Sequence, residues 1–414
     1  MTPQTRSEIL APGSVEELIE IVRATPRLIA TGGLTKPRLS QVETAVRVSM
    51  RGISGIVEYE PEEFTFTARA GTPVREIIDT LAAKGQHLPF DPMFAEAGST
   101  IGGAVASGVN GPGRLRFGGL RDFILGVRFV DGAGRLLRMG GKVVKNAAGF
   151  DVPKFMVGSL GRFGVLTEVT FKVFPSPQAS RTLELPVPDD ETAIRLLQET
   201  PVARWEPRAL DYDPESGYAR LRIGGPAAAL DAIGREILAR WPGRVLSEDE
   251  AQHVWTQARE CAWAHADGSL IKTVTDARMI ARASKSLWPA TGAAGSKLQG
   301  QASAELEGLP PSAGSGPRIS ESRPSPSTQL RTGRGGLRGG IRWRVSSAGD
   351  VSYFSIPPEI EPSGVRGALR DLGIRALTLR GAGPLRPGVV ASSQIAQAVK
   401  RVMDPDNRFP GIDE

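Results

Sequence analysis

Three short glycine-rich segments, each beside a predicted strand or helix, constrain this chain more than any other feature. They are Thr31–Thr35, Gly98–Gly103 continuing through Ser107 and Gly108, and Gly158–Gly164. Glycine lets backbone amides come within hydrogen-bonding distance of phosphate oxygens, and the neighbouring hydroxyl groups add donors. One such segment is more often a tight turn. Three of them, in separate strand–helix contexts, favour a binding site for a phosphate-bearing ligand.

The common phosphate-binding signatures are absent from the sequence. There is no Gly-x-x-x-x-Gly-Lys-[Ser/Thr], which argues against a P-loop nucleotidase. No Gly-x-Gly-x-x-Gly opens a helix after the first strand, so a Rossmann dinucleotide site is not supported. The Gly-x-Ser-x-Gly elbow of α/β-hydrolases is missing as well.

Cysteine and histidine usage narrows the chemistry further. The 414 residues contain one cysteine, Cys261, and three histidines. This excludes internal disulfides, Cys-ligated zinc and a cysteine-held iron–sulfur cluster, and we expect no metal site. The net charge of +6 is mild, but residues 104–163 hold ten Lys and Arg against three Asp. This uneven charge also points to a small anionic ligand.

The first half of the chain alternates predicted strands and helices. Ser14 and Glu17 have capping-box spacing and predict a helix over residues 15–24. Thr72 and Pro73 are expected to open a second helix that Gly85 stops. Alternation and turn residues predict strands at 27–30, 45–50, 64–70, 124–130, 135–139 and 165–174. Pro175 and Pro177 then mark a domain boundary.

The second half begins a new α+β pattern, with a sheet of its own. Strands are predicted at 181–187, 218–223, 342–345 and 351–356, and helices at 191–199, 227–240 and 394–403. Residues 292–340 are dominated by Gly, Ser, Pro and Arg and are interpreted as a disordered insertion. An Arg-Gly tract at 331–340 keeps nucleic-acid binding as an alternative, although no aromatic residues interleave to stack on bases.

The glycine segments resemble the FAD-binding domain shared by vanillyl-alcohol oxidase and p-cresol methylhydroxylase (PCMH). Residues 29–36 resemble its first pyrophosphate loop, 98–107 its second FAD segment, and 158–167 its Gly-Ser-x-Gly-x-x-Gly-x-x-Thr segment. The resemblance implies an α+β protein: a two-subdomain PCMH-type FAD-binding domain over 1–177, then a smaller α+β cap or substrate domain over 178–414.

A narrower resemblance is to the E subunits of bacterial glycolate oxidases. It rests on Gly118–Gly126 and Val143–Asp151 and covers the C-terminal half thinly. It implies an FAD-dependent oxidoreductase that converts a small 2-hydroxy acid to the 2-oxo acid. The implied partners are a catalytic flavoprotein subunit and an iron–sulfur subunit. A stand-alone FAD dehydrogenase or oxidase, and a non-catalytic scaffold retaining the flavin fold, remain as alternatives.

Carried over residue by residue, the family implies which positions hold FAD. Lys145 and Asn146 are candidates near the flavin, with a structural turn as the alternative. The candidate FAD-binding residues are Thr31, Gly32, Gly33, Leu34, Thr35, Gly98, Ser99, Thr100, Gly102, Gly103, Ser107, Gly108, Gly158, Ser159, Gly161 and Val165.

Departures from the family pattern bear on the chemistry. Members with covalent flavin usually carry a histidine in the first loop, and here Leu34 stands there, so we expect non-covalent FAD. Leu160 replaces a glutamate found in many catalytic members. No catalytic residue is identifiable: His253 and His265 are interpreted as ordinary helix residues.

The expected location is the cytoplasm. The N-terminus shows no signal peptide and no segment has the length and hydropathy of a membrane span. Peripheral association with the inner face of the membrane, through partner subunits, stays open, and nucleic acid is not expected as a partner.

Overall fold

The computed structural model describes residues 9–141, 150–287, 340–390 and 393–414. Lys145, Asn146 and nearly all of the 292–340 insertion therefore lie outside the described residues.

The N-terminal half contains strands β1 Ile9–Leu10, β2 Leu28–Thr31, β3 Val46–Ser49, β4 Ile56–Glu60, β5 Thr65–Arg69, β6 Gln86–His87, β7 Ile124–Val130, β8 Leu136–Gly140, β9 Val165–Lys172 and β10 Phe174–Pro175. Its helices are α1 Val15–Ala24, α2 Val74–Ala82, α3 Ile101–Ser107, α4 Arg114–Phe117, α5 Leu120–Phe123 and α6 Val152–Met156.

The second half has its own set of strands and helices. Its strands are β11 Ala179–Pro186, β12 Ala209–Asp213, β13 Tyr218–Gly225, β14 Arg244–Val245, β15 Ser269–Val274, β16 Arg342–Ser346, β17 Val351–Ile356 and β18 Arg375–Arg380. Its helices are α7 Asp190–Glu199, α8 Ala227–Arg240, α9 Glu248–Glu260, α10 Met279–Leu287, α11 Ser363–Asp371 and α12 Gln394–Met403.

Two larger sheets and the short antiparallel pair β6–β10 form the described part of the N-terminal half. The first of the larger sheets is parallel, in the order β1-β3-β2. Helix α1 connects β1 to β2, and its N-cap Ser14 accepts a hydrogen bond from the Glu17 amide at 3.1 Å. The second is antiparallel, in the order β4-β5-β9-β7-β8. An apolar cluster joins them, with Leu18 and Val48 from the first unit and Val130 and Val165 from the second. The N-terminal half thus has two subdomains that share a core.

The second half is organised around an eight-stranded antiparallel sheet in the order β14-β11-β13-β12-β16-β17-β15-β18. Helices α7, α8, α10 and α11 cover one face, burying residues such as Leu196, Leu230 and Leu369. Because side chains alternate along a strand, the residues between the buried ones point to the other face. That face meets the N-terminal half through an apolar cluster that includes Tyr353 of β17 and Leu160.

The C-terminus returns to the N-terminal half. Helix α12 packs Val399 and Met403 against the core of the five-stranded sheet, and Phe409 enters the cluster between the two subdomains. The Lys400 ammonium donates to the Arg162 carbonyl at 2.8 Å and to Asp404 at 2.5 Å. Residues 393–414 therefore contact the first 177 residues, although the prediction groups them with the cap.

Most predicted elements are found within two or three residues of their expected bounds. The predicted role of Thr72 is wrong: helix α2 begins at Val74, with Pro73 at its N-cap and no side-chain cap. The Thr72 hydroxyl instead donates to the Arg69 carbonyl at 2.7 Å and accepts from the Gly55 amide at 2.9 Å. It therefore closes the turn before the helix rather than capping it.

Among the helices of the described ranges, none has the length and hydropathy needed to cross a bilayer.

Candidate functional site

A cleft of about 760 Å³ lies where the three glycine segments meet. The first segment follows strand β2, the second runs into helix α3, and the third precedes strand β9. The fold thus brings together segments that are more than 120 residues apart in sequence.

The first two segments touch each other directly. A Cβ at Gly33 would lie 1.9 Å from the carbonyl oxygen of Gly98, and a Cβ at Gly32 would lie 2.2 Å from Thr100 Oγ1. Any larger residue would push the two loops apart. Glycine at these two positions allows the two loops to pack against each other. The sequence predicted glycine here for phosphate binding and not for this contact.

The second and third segments are joined through their backbones. The Gly158 amide donates to the Val105 carbonyl at 2.9 Å, and the Leu160 amide donates to the Ala106 carbonyl at 2.8 Å. Both carbonyls belong to helix α3. The three segments therefore form one hydrogen-bonded wall rather than three independent turns.

Several residues that line this cleft carry hydrogen-bond donors with no acceptor in the described part of the chain. Among the described residues, the amides of Gly33, Leu34 and Thr35 have no protein acceptor. Leu34 has a φ of +55°, and consecutive amides around such a residue form a concave anion-binding nest. The Ser159 hydroxyl is buried without a partner. Since buried polar groups are normally hydrogen-bonded, these donors fit a bound oxyanion such as a diphosphate.

Lys36 adds a positive charge to the cleft. Its ammonium donates to Thr35 Oγ1 at 3.1 Å and Ser99 Oγ at 3.4 Å, and it lies 5.2 Å from the centre of the Phe94 ring. Burial lowers the pKa of Lys36 to about 8, against an ordinary value of 10.5. A diphosphate beside it would offset that burial cost. Sequence reasoning missed Lys36, although it directly follows the first glycine segment.

The predicted FAD-binding residues divide into those that line the cleft and those behind its wall. Gly98, Gly108, Gly158 and Val165 do not line it. The twelve that do are Thr31, Gly32, Gly33, Leu34, Thr35, Ser99, Thr100, Gly102, Gly103, Ser107, Ser159 and Gly161.

A second cavity, of about 900 Å³, lies against the inner face of the cap sheet. Polar groups from four elements converge there: Asp211 of β12, Arg220 of β13, Arg344 of β16 and His253 of α9. Sequence reasoning interpreted His253 as an ordinary helix residue and did not find the other three. Strand pairing alone brings them together, so no local signal marked them.

Burial controls the charges in this second cavity. Asp211 accepts hydrogen bonds from Ser346 Oγ at 2.8 Å and the Ser347 amide at 3.2 Å, yet burial raises its pKa to about 7. Arg344 lies 2.5 Å from Asp213 and stacks on the Trp263 ring at 4.9 Å. The cavity therefore combines a carboxyl group that titrates near neutrality with arginines suited to a carboxylate.

Apolar side chains stand between the first cleft and the second cavity. Leu39 and Leu160 line the cleft, Met93 and Tyr353 line the cavity, and all four belong to one apolar cluster. The Tyr353 hydroxyl contacts Met93 Sδ at 3.1 Å and donates to the Asn110 carbonyl at 3.3 Å.

Within the described ranges, no group of three His, Cys, Asp or Glu side chains is placed to hold a metal ion.

Comparison with known proteins agrees with this geometry. The model of the family described as an FAD binding domain matches residues 7–140. Two solved structures of alkyldihydroxyacetonephosphate synthase align over 97% of this chain and 76% of theirs, with TM-scores of 0.64 and 0.65 and 18% and 16% identity. The match to the FAD binding domain family, together with this shared fold, identifies a protein of the PCMH-type FAD-binding class.

Sequence relatives narrow the class. Glycolate oxidase subunit GlcE of Escherichia coli is 38% identical over 250 residues, which cover 59% of this chain and 67% of that protein. The chain belongs to the family of that subunit. Glycolate oxidase subunit GlcD of Bacillus subtilis is 29% identical, and D-2-hydroxyglutarate dehydrogenase of Xanthomonas citri is 31% identical. The chain spans 47% and 41% of the lengths of these two relatives.

Proposed function

We propose that this chain is the FAD-binding subunit of a glycolate oxidase-type complex, which oxidises a small 2-hydroxy acid to the 2-oxo acid. The first cleft carries the proposal: three unpaired amides, the Lys36 ammonium and the buried Ser159 hydroxyl converge on one space. The identity to GlcE of Escherichia coli supports it.

In this proposal different residues of the cleft bind different parts of the cofactor. The Gly33–Thr35 amides and Lys36 hold the diphosphate, and Ser99, Thr100, Gly102 and Gly103 line the cleft beside them. Leu34 is 45% exposed and has no nucleophilic atom, so it forms no bond to the flavin ring. We therefore propose non-covalent FAD. Acid denaturation followed by gel filtration should release the yellow chromophore, and chromophore that stays with the protein would refute this point.

The positions of the glycine-lined cleft and of the second cavity support a role for this chain inside a complex. Bound FAD supplies a two-electron acceptor for the hydride of a 2-hydroxy acid. That transfer requires the reacting atoms to approach within about 3.5 Å. The cluster containing Leu160 and Tyr353 keeps the polar cavity apart from the glycine-lined cleft. A subunit that holds FAD beside a separate catalytic subunit fits this arrangement better than a stand-alone dehydrogenase does.

The second cavity favours one alternative, a stand-alone FAD-dependent 2-hydroxy-acid dehydrogenase. Arg220 and Arg344 suit a substrate carboxylate, and Asp211, whose pKa is raised to about 7, suits the hydroxyl proton. Under this alternative Tyr353 must move so that the cavity opens onto the first cleft. Loss of dye-linked glycolate or lactate turnover by the single chain on Asp211→Asn substitution would support it.

The partners belong to the proposal as well. We propose an iron–sulfur subunit for onward electron transfer, because the single cysteine of this chain cannot hold a cluster. We propose a catalytic flavoprotein subunit as the second partner. We also propose a cytoplasmic location, with any contact to the inner face of the membrane made through these subunits. Co-purification from the native host, and fractionation with and without the partners, test both points.

One spectroscopic experiment tests the function. The purified chain, reconstituted with FAD, should show flavin absorbance near 450 nm, roughly the general position for oxidised flavin. We expect glycolate to bleach it only when the catalytic partner is present. Bleaching by glycolate in the single chain would support the stand-alone dehydrogenase. A chain that stays colourless after reconstitution would overturn the proposal and favour a scaffold.

A further inference from the structure

A third cleft, of about 1,020 Å³, lies at the junction of the two halves of the chain. It is separate from the glycine-lined cleft and from the cavity under the cap sheet, with which it shares no lining residue. Helix α2 and strand β6 supply one wall, and strand β13 and helix α9 supply the other. Four arginines, Arg75, Arg208, Arg222 and Arg259, line it, and the proposed function uses none of them.

Arg208 lies in this cleft and forms no ion pair with the residues that the structure describes. Its guanidinium stacks 4.8 Å from the centre of the Phe117 ring, and its Nη2 donates to His87 Nε2 at 2.9 Å. No described carboxylate oxygen lies within 4.0 Å of it. His87 cannot supply the missing charge, because an acceptor Nε2 requires a neutral ring. Its Nδ1–H donates to the Phe174 carbonyl at 3.1 Å, and burial together with Arg208 lowers the pKa of His87 to about 4.

The neighbouring arginines leave the cleft positive. Arg222 and Arg259 share one carboxylate, that of Asp91, at 3.0 and 3.6 Å. Asp91 also accepts from the Gly113 amide at 3.1 Å. A fourth arginine of the cleft, Arg75, pairs with Asp79 and Glu96. Among the described residues, the other three guanidinium groups therefore face a single carboxylate, with Arg208 the one left over. Like charges held this close raise the free energy of the empty cleft, and a bound anion would lower it.

Arg208 is also held in place before any ligand arrives. A Cβ at Gly224 would lie 2.6 Å from Arg208 Cδ, so the absent side chain at that position leaves room for the arginine. Phe117 and His87 fix the orientation of its planar end. A pre-ordered guanidinium loses little conformational entropy on binding, which favours affinity.

We infer that this junction cleft binds a small oxyanion carrying at least two negative charges, namely a phosphate group or a dicarboxylate. Guanidinium groups bind such groups through two parallel hydrogen bonds. Because His87 comes from the N-terminal half and Arg208, Arg222 and Arg259 come from the second half, the anion connects the two. Its binding therefore stabilises their junction as well as neutralising the cleft.

Calorimetric titration of the FAD-saturated chain tests this inference, since FAD then fills the first cleft. The probes are inorganic phosphate and malonate at constant ionic strength. We expect saturable binding of at least one probe and a higher Tm in its presence. Arg208→Gln should weaken that binding at least tenfold and abolish the Tm rise. Phosphate binding alone indicates a phosphate-bearing ligand, and malonate binding alone indicates a dicarboxylate.

Matched variants distinguish anion binding at this specific site from anion binding caused by the overall positive charge of the protein. Arg235→Gln removes an exposed charge from helix α8 and should bind like the wild type. Arg208→Lys keeps the positive charge but loses the two parallel N–H donors of the guanidinium, so its affinity for the anion should fall severalfold. This variant still tests the inference if Arg208→Gln does not fold. Equal affinity in wild type and Arg208→Lys, or binding weaker than about 10 mM for both probes, overturns the inference. If the chain binds no FAD, the same comparison is made on the free chain, so the two proposals fail separately.

Discussion

Gly33 and Gly98 approach so closely that a Cβ on the first would lie 1.9 Å from the carbonyl oxygen of the second. This contact seats the loop after β2 against the loop before α3. It leaves the amides of Gly33, Leu34 and Thr35 facing the cleft. The geometry of the proposed cofactor site therefore depends on one missing side chain.

Gly33→Ala should weaken FAD binding at least tenfold and lower the Tm. The added methyl group meets backbone, which has no rotamer into which it can retreat, and overpacking of this kind typically costs about 1–3 kcal/mol. Fluorescence titration with FAD and thermal unfolding measure the two effects. Gly225→Ala is the matched control, because a Cβ there meets nothing within 4 Å. Unchanged FAD affinity in Gly33→Ala would contradict the proposed cradle.

Ser159→Ala should separate ligand binding from stability. The buried Ser159 hydroxyl has no partner in the free protein, so its removal should leave the unfolding free energy unchanged or slightly higher. If FAD accepts its hydrogen bond, affinity should fall by roughly 2- to 12-fold, equivalent to about 0.5–1.5 kcal/mol. Urea unfolding and FAD titration measure the pair of effects. A loss of stability without a loss of FAD affinity would show that the hydroxyl is structural.

Lys36 should make FAD affinity dependent on pH. In the free protein burial lowers its pKa to about 8, and an adjacent diphosphate should raise that pKa, so binding takes up a proton above pH 8. The FAD Kd should therefore rise as pH increases beyond 8, by at most about tenfold per pH unit. Lys36→Met should bind FAD more weakly and lose most of this dependence. Lys84→Met, at an exposed lysine, should behave like the wild type.

The same residue predicts a stability trend in the free protein. The folded-state pKa of Lys36 is lower than its ordinary value of 10.5, so the unfolded chain binds the proton more tightly. The contribution of Lys36 to stability should therefore increase as pH rises from about 8 to 10.5. Urea unfolding of wild type and Lys36→Met across this range isolates it. A difference between the two that does not change with pH would contradict the assigned pKa shift.

Lys400→Met should release the C-terminal tail and destabilise the fold. The ammonium is buried and donates to Asp404, to the carbonyl of Arg162 and to the carbonyls of Phe409 and Pro410. Removing it leaves the Asp404 carboxylate buried without its partner, a loss of about 3–5 kcal/mol. Urea unfolding measures it. The neighbouring Arg401 is exposed, so Arg401→Met should change little, and equal effects of the two substitutions would contradict this account.

Local sequence patterns predicted much of the fold. The capping residues and apolar spacing predict α1, and local patterns predict β7, β17, α8 and α12, with element bounds that the structure matches. These signals act over a few neighbouring residues, so they can be interpreted without the rest of the chain. Thr72 shows the limit of this approach, because its hydroxyl is engaged by Gly55, a residue outside the helix it was expected to cap.

The sequence by itself predicted a phosphate-bearing cofactor at three glycine segments with hydroxyl neighbours, since both composition and resemblance reside in contiguous residues. Tertiary structure alone decided which of them face the cleft, that Lys36 joins them, and that Gly33 is needed for contact with another loop. It also assembled Asp211, Arg220 and Arg344 in one cavity and left Arg208 without a counter-charge. Such arrangements arise from strand pairing and from the packing of the two halves, which join residues far apart in sequence and leave no local pattern.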